Sequence, residues 1–132
     1  MINNMKSQEA AEMLENVRNI CLALPEAVEL IDGFGHHTFK INRKSFVISG
    51  ESETGFSLSF KSDRETQELL LQKEYFLKTP YIGHHGWVSI QNPAKENWDE
   101  LTDLIQEAYL RAAPKRLVKK WNEEFINGRK VE

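Results

Sequence analysis

The sequence contains a single cysteine, Cys21, among its 132 residues. One cysteine cannot form an internal disulfide or a multi-cysteine zinc site, so the chain fits a reducing compartment. The sequence also lacks an apolar run of about 18 residues, the length needed to cross a bilayer. Its first residues, 1–6, are not followed by the apolar segment of a signal peptide. We therefore expect a cytoplasmic protein that does not contact a membrane.

The chain has no overall excess of positive charge, because its formal net charge is −3 and its pI is near 5.8. This balance excludes a protein whose whole surface binds nucleic acid, since that interaction needs a concentrated positive field. The charge is unevenly distributed, however. Residues 111–132 carry seven basic and three acidic side chains, a balance of +4 that leaves −7 for the rest. Any contact with nucleic acid would therefore use the carboxyl-terminal segment.

Familiar catalytic motifs are also absent. The sequence has no Gly-x-Ser-x-Gly elbow, Walker loop, dinucleotide fingerprint or His-Glu-x-x-His. Cys21 lies on the apolar side of a predicted helix, where a cysteine usually acts as a small hydrophobic residue. These observations argue against an enzyme, and we expect no cofactor.

The composition is that of an ordinary globular protein, with 40% hydrophobic, 10% aromatic and 28% charged residues. A chain of this length is typical of one domain, and no linker or low-complexity segment divides it. We therefore interpret residues 1–132 as a single domain.

The first half of the chain predicts a helix followed by antiparallel strands. Apolar residues recur at steps of three and four from Ser7 to Leu24, and Pro25 ends this helix. Short β-runs separated by turn residues then follow, over 27–31, 37–41, 45–49 and 55–60. Such short connections imply antiparallel neighbours, because a parallel crossover needs a dozen or more residues.

The second half predicts three more helices and one strand. Ser62 and Glu65 have the spacing of a capping box for a second helix, and Asn97 with Glu100 suggests a cap for a third. A strand is expected over 87–90, and a short fourth helix after Pro114. The predicted fold is α+β: an antiparallel sheet of about five strands, with helices one and three packed on one face.

Two short segments share the pattern apolar-Gly-His-His-x-aromatic, and they supply all four histidines: His36, His37, His84 and His85. Imidazole is a common metal ligand. Adjacent strand residues point to opposite faces, so a metal site would need one histidine from each pair and a carboxylate such as Asp32. We expect no metal, and we interpret these residues as loop and strand-end histidines.

Several segments resemble the MmcQ/YjbR family of small bacterial proteins. They are Leu24-Pro25-Glu26, Thr38-Phe39-Lys40-Ile41 with Lys44-Ser45-Phe46, Gly83 to Val88, and Tyr109 to Leu117. The resemblance covers roughly residues 7–120. It implies a CyaY-like arrangement, in which helices pack on one face of an antiparallel sheet. It also implies a double-wing module for which DNA binding has been suggested, although the family's molecular role is largely uncharacterised.

The basic residues yield a hypothesis about function. Lys115, Arg116, Lys119 and Lys120 recur at helical spacing, and Arg43 with Lys44 occupies a predicted β-turn. Together they would form a surface that contacts DNA through phosphate groups without reading bases. The alternative is a module that binds a protein or a small ligand without nucleic acid. Trp87 and Trp121 would line such a site, although core packing is the simpler interpretation of both.

Overall fold

A computed structural model describes residues 7–124 of the chain. It contains four α-helices and six β-strands within these residues. In chain order they are α1 (Gln8–Cys21), β1 (Val28–Ile31), β2 (His37–Ile41), β3 (Lys44–Ser52), β4 (Gly55–Phe60), α2 (Arg64–Leu70), β5 (Phe76–Lys78), β6 (Val88–Gln91), α3 (Trp98–Ala112) and α4 (Lys115–Asn122). Short 3₁₀ turns occupy Gly83–His85 and Lys95–Asn97. None of these helices is long and apolar enough to cross a bilayer.

The strands form one antiparallel sheet in the order β1-β2-β3-β4-β6-β5. The prediction of an α+β fold with an antiparallel sheet is confirmed, with six strands in place of about five. The first four strands follow one another as hairpins. Between β2 and β3, Asn42 and Arg43 have φ values of 50° and 71°, the left-handed backbone that a two-residue hairpin turn requires.

One face of the sheet carries the hydrophobic core. Phe39, Val47 and Phe60 lie side by side on β2, β3 and β4, and all three are fully buried. Helices α1 and α3 cover this face, as predicted. Their buried positions, such as Leu14 and Ile105, follow the helical spacing seen in the sequence. The opposite face of the sheet is therefore available for other contacts.

Two predicted helix caps were wrong. The N-cap of α2 is Asp63, whose carboxylate accepts a hydrogen bond from the Thr66 N–H at 2.7 Å, whereas Ser62 is buried. Asn97 is the N-cap position of α3, but its side chain does not cap that helix: Oδ1 accepts a hydrogen bond from the N–H of Ala94, three residues earlier, within the 3₁₀ turn. At α2 the sequence offers two polar residues side by side, Ser62 and Asp63, and the tertiary position of the backbone selects between them.

The boundaries of two elements also differ from the prediction. Helix α1 ends at Cys21, and the backbone turns before Pro25 instead of remaining helical to Leu24. Strand β5, which was not predicted, is only three residues long and lies beside β6 at the sheet edge. Its Phe76 is buried against Phe60, with ring centroids 6.1 Å apart.

Candidate functional site

The sheet face opposite α1 and α3 carries small polar side chains. In the register of the strands, Ile48, Ser59 and Ser89 lie next to one another on this face. Ser59 and Ser89 are buried although the packed helices lie on the other side. Two loops cover them instead, one before β2 and one after β5. The space that remains between the loops is the candidate site.

This space, which we call the open-face cleft, has a volume of about 400 Å³. The loop before β2 forms one wall and the loop after β5 forms the other, while β3 and β4 form the floor. The residues that line it are Asp32, His36, Ile48, Ser49, Gly50, Glu51, Ser52, Ser57, Ser59, Thr79, Pro80, Tyr81 and Ile82. Although many of these residues are polar, most of the surface that they expose to the cleft consists of carbon atoms, and hydroxyl groups lie at the floor.

Asp32 organises the first wall. Its Oδ1 accepts hydrogen bonds from the N–H groups of Phe34 at 2.8 Å and His36 at 2.9 Å, and its Oδ2 lies 3.2 Å from His36 Nδ1. Burial alone would raise the pKa of Asp32, but the hydrogen bonds from His36 and Phe34 outweigh it and lower the pKa. Asp32 is therefore an ionised carboxylate that fixes both the loop and the imidazole.

Gly50 allows His36 to approach the floor of the cleft. A Cβ atom at Gly50 would lie only 2.8 Å from Cδ2 of His36. The imidazole ring therefore rests directly on the β3 backbone, and any larger side chain would displace it. With Nδ1 facing Asp32, the other ring nitrogen is left for solvent or a ligand.

The second wall is attached to the floor by hydroxyl groups. Thr79 Oγ1 lies 2.8 Å from Ser89 Oγ, which lies 2.6 Å from Ser59 Oγ. Beyond Thr79, Tyr81 has a φ of 68°, and its side chain is 95% exposed. Left-handed backbone is unusual for a tyrosine, and strain of this kind is found most often at functional sites. The aromatic ring stands at the mouth of the cleft.

Ser57 is a free hydrogen-bonding group at the floor. It lies opposite Gly50 on β3 and Gln91 on β6, on the face that carries the cleft. Among residues 7–124 its hydroxyl has no hydrogen-bond partner within the protein. The cleft thus combines an apolar surface with the free hydroxyl of Ser57, the imidazole of His36 and the carboxylate of Asp32.

The structure separates the roles of the four histidines. His37 is fully buried on the helix side of the sheet, and its Nδ1 lies 2.7 Å from Glu29 Oε2. His84 and His85 are exposed in a 3₁₀ turn, with ring centroids 3.9 Å apart. Within the described part of the chain, no three His, Cys, Asp or Glu side chains are grouped as metal ligands would be.

The predicted DNA-contacting residues lie at two places. Arg43 and Lys44 are exposed at the β2–β3 turn. Lys115, Arg116, Lys119 and Lys120 lie on α4, where a helical rotation of about 100° per residue spreads them over an arc of about 140° on one side of the helix. Lys115 and Lys119 border a shallow hollow that also contains Glu123.

Arg116 is engaged within the protein. Its two terminal nitrogens donate to the Glu26 carboxylate at 2.8 and 2.7 Å, and this bidentate contact lowers the pKa of Glu26. Lys120 contributes a smaller electrostatic effect in the same direction. Arg116 therefore bridges α4 to the turn after α1, and this contact reduces the availability of its guanidinium to phosphate.

Sequence reasoning did not find the cleft. As sites of function, the sequence suggests Asp32 and His36 only as metal ligands, and it does not draw attention to Ser57 or Tyr81. One signal was present: in β4 the serines Ser57 and Ser59 alternate with the apolar Phe56, Leu58 and Phe60. That alternation places a polar row on the sheet face opposite the core. The loops that turn this row into a cleft depend on contacts distant in sequence.

Comparisons with known proteins agree with the architecture. The YjbR family model matches residues 22–111. The crystal structure of Deinococcus radiodurans protein DR2400, which contains the domain DUF419, is similar with a TM-score of 0.62. The two are 23% identical, and the match covers 74% of this chain and 75% of that one. A search of curated proteins finds no match. Since the family model spans more than half of the sequence, the chain belongs to the YjbR family, also described as DUF419, whose function is unknown.

Proposed function

We propose that this domain is a small-ligand-binding module and that the open-face cleft is its binding site. The observation that carries the proposal is the cleft itself, a concave space of about 400 Å³ between two ordered walls. Sites for small molecules are clefts of roughly 300–1,000 Å³, mainly apolar, with a few polar groups that orient the ligand. The polar groups here are the Asp32 carboxylate, the His36 imidazole and the Ser57 hydroxyl.

A binding role accounts for features that folding alone does not require. Gly50 brings an imidazole onto the sheet, and Tyr81 holds an exposed ring in a strained backbone conformation. The core on the opposite face needs neither of them. Both features shape the cleft, as expected if the cleft binds a ligand.

Thermal unfolding with small ring compounds tests the proposal. A ligand that binds only the folded protein raises its melting temperature. We expect a mixture of cationic, neutral and anionic benzene derivatives at millimolar concentration to raise the melting temperature of the wild-type protein. Ser57→Phe fills the floor of the cleft and should remove the shift. Ser45→Phe, on the same sheet face but outside the cleft, should retain it. Equal shifts in both variants, or none in the wild type, would refute the proposal.

Contact with DNA phosphate is a second candidate function. Its support is that Lys115, Lys119 and Lys120 are exposed and form no salt bridge with any residue between 7 and 124. We place it second because Arg116 is paired with Glu26, and because Glu123 lies beside Lys115 and Lys119 in the hollow that they border. A protein that uses these groups should bind duplex DNA weakly, with little dependence on sequence.

Salt dependence tests this candidate. Each neutralised phosphate contributes about −0.9 to the slope of log affinity against log salt concentration. We expect reversal of Lys115, Lys119 and Lys120 to glutamate to abolish binding, and Arg43→Ala with Lys44→Ala to weaken it. Arg116 is left unchanged because a glutamate there would face Glu26. Lys95→Glu, in the 3₁₀ turn before α3, is the control. Undiminished binding by the triple reversal would exclude α4 as the contact surface.

A further inference from the structure

The charge of the open-face cleft limits the class of ligand that it suits. This inference rests on the proposed function. Among residues 7–124, no lysine or arginine lines the cleft, and the acidic residues there are Asp32 and Glu51. The Glu51 carboxylate accepts a hydrogen bond from the Ser7 N–H at 3.4 Å, at the start of α1 on the other side of the sheet. Asp32 is therefore the carboxylate that acts on a ligand. The described lining carries no lysine or arginine charge that would pair with a phosphate or carboxylate group.

The remaining surface suits a ring. Ile48 lies on the floor beside Gly50, and Pro80 and Ile82 are apolar residues of the second wall. Tyr81 adds an aromatic face that is almost wholly exposed at the mouth. Aromatic faces attract cations as well as other rings, so Tyr81 favours positive charge near the entrance. Ring contact and positive charge are thus favoured by the same cleft.

Hydrogen-bonding groups lie at defined positions around this surface. Asp32 is ionised and held by three hydrogen bonds, so it offers a fixed negative charge. The desolvation cost of burying an ammonium group beside Asp32 would be offset by the attraction between the two opposite charges, whereas a carboxylate would be repelled. The free hydroxyl of Ser57 and the outer nitrogen of His36 complete the polar set without adding a fixed positive charge of the kind that lysine supplies.

We propose that the open-face cleft binds a protonated organic amine that carries an apolar ring. The ammonium group lies near Asp32, and the ring lies over Ile48, beside Tyr81 and the His36 imidazole that covers Gly50. The preference for a cation over an anion comes from Asp32, and the affinity for the ring comes from the floor and the second wall.

Three probes with the same ring test this assignment: benzylamine, benzyl alcohol and benzoate. Each is titrated into ¹⁵N-labelled protein at 150 mM NaCl, and the shifts of the Gly50 and Ser57 amides give the dissociation constants. For probes of this size we expect a dissociation constant of about 1–10 mM for benzylamine. Benzoate should bind at least about tenfold more weakly, and benzyl alcohol should lie between the two.

Asp32→Asn isolates the source of the preference. An asparagine Oδ1 can still accept the N–H groups of Phe34 and His36, so the loop should keep its conformation. We expect this variant to bind benzylamine and benzyl alcohol equally. Asp103→Asn, the same change on exposed α3 surface, should behave as the wild type. This control separates the local charge of Asp32 from the net negative charge of the protein.

Each outcome bears on a different claim. Benzoate binding as tightly as benzylamine, or an amine preference that survives in Asp32→Asn, would overturn the inference and leave the cleft as a ligand site. If none of the three probes moves the cleft resonances at about 20 mM, which is about twice the highest dissociation constant expected for benzylamine, the proposed function fails together with the inference.

Discussion

At the scale of single residues, the strongest polar interaction joins α1 to the sheet. Arg18 Nε and Nη2 donate to the two carboxylate oxygens of Glu29 at 2.8 and 3.0 Å, and His37 Nδ1 lies 2.7 Å from the same carboxylate. Arg18 and His37 are almost fully buried. The negative charge of Glu29 therefore offsets part of the desolvation cost of burying these two side chains.

Glu29→Gln removes this charge and leaves the buried guanidinium with the exposed Glu15 carboxylate, which lies 3.2 Å from Nη1. We expect the free energy of unfolding at pH 7 to fall by about 2–4 kcal/mol, measured by urea denaturation. Glu53→Gln, at an exposed turn, should change it by less than about 0.5 kcal/mol. A loss in Glu29→Gln no greater than in this control would show that the Arg18–Glu29 contact contributes little.

The same residue makes stability depend on pH. Burial alone would raise the pKa of Glu29, but the hydrogen bonds from Arg18 and His37 outweigh it, so the folded-state pKa lies below the ordinary value of 4.5. A lowered folded pKa gives stability that is present above the unfolded pKa and is lost as pH falls through the folded one. The stability difference between wild type and Glu29→Gln should therefore shrink as pH is lowered below about 4.5. A difference that stays constant down to pH 3 would contradict this assignment.

Gly86 is a residue whose backbone excludes any side chain. It has a φ of 98°, and a Cβ there would lie 2.8 Å from the Ser62 carbonyl oxygen. We expect Gly86→Ala to destabilise the protein by about 2–4 kcal/mol, through left-handed strain and a contact with rigid backbone. Gly33 has no atom within 4 Å of its Cβ position, so Gly33→Ala is the matched control. The melting temperature of Gly86→Ala should be clearly lower than that of Gly33→Ala. Similar melting temperatures would argue against a contact between the new Cβ and the Ser62 carbonyl oxygen.

At the scale of elements, α4 depends on its packing. A helix of eight residues is not stable by itself in water. Leu117 is buried in the core, and Trp121 lies beside Tyr109, with ring centroids 6.5 Å apart. The salt bridge between Arg116 and Glu26 is exposed, and exposed ion pairs contribute little stability. Leu117 and Trp121 should therefore hold α4 in place.

Leu117→Ala tests this dependence. We expect the amides of α4 to lose protection from hydrogen exchange, with a loss of about 2–4 kcal/mol in the stability of that segment. Amides of β3 and β4 should keep their protection. Val118→Ala, at a half-buried position, should have a smaller effect. Equal loss of protection throughout the sheet would mean that α4 unfolds only with the whole domain.

The elements that could be predicted from the sequence are those with local signals. The hairpin at Asn42–Arg43 could be predicted because asparagine, at the first position of the turn, readily adopts left-handed backbone. Strand β5 was missed because three residues carry no periodic pattern, and its pairing with β6 spans a loop of nine residues, 79–87. The cap of α2 was placed one residue early because Ser62 and Asp63 are both good capping residues. Local chemistry indicates that a helix begins, and tertiary contacts determine where.

The site was predictable only in part for the same reason. The basic residues on α4 could be recognised from their spacing, but the partner of Arg116 is Glu26, ninety positions away. The cleft likewise joins loops that follow β1 and β5, strands at opposite edges of the sheet. No periodicity along the chain indicates that two such loops face each other across one polar surface.

At the scale of the whole molecule, the two sheet faces have different tasks. One face carries α1, α3 and the core, which supply stability. The other carries small polar residues that two loops enclose without filling. The basic residues of the DNA hypothesis lie elsewhere, on α4 and at the β2–β3 turn, so DNA contact and ligand binding would use separate surfaces. Separate surfaces can be tested independently.

A crystal structure of the protein soaked with the benzene derivatives tests the central claim most directly. If the open-face cleft is the binding site, electron density for a ring should appear over Ile48, beside Tyr81 and the His36 imidazole, and it should be absent from crystals of Ser57→Phe. Density for these compounds only on other surfaces, with the cleft containing nothing but water, would contradict the claim.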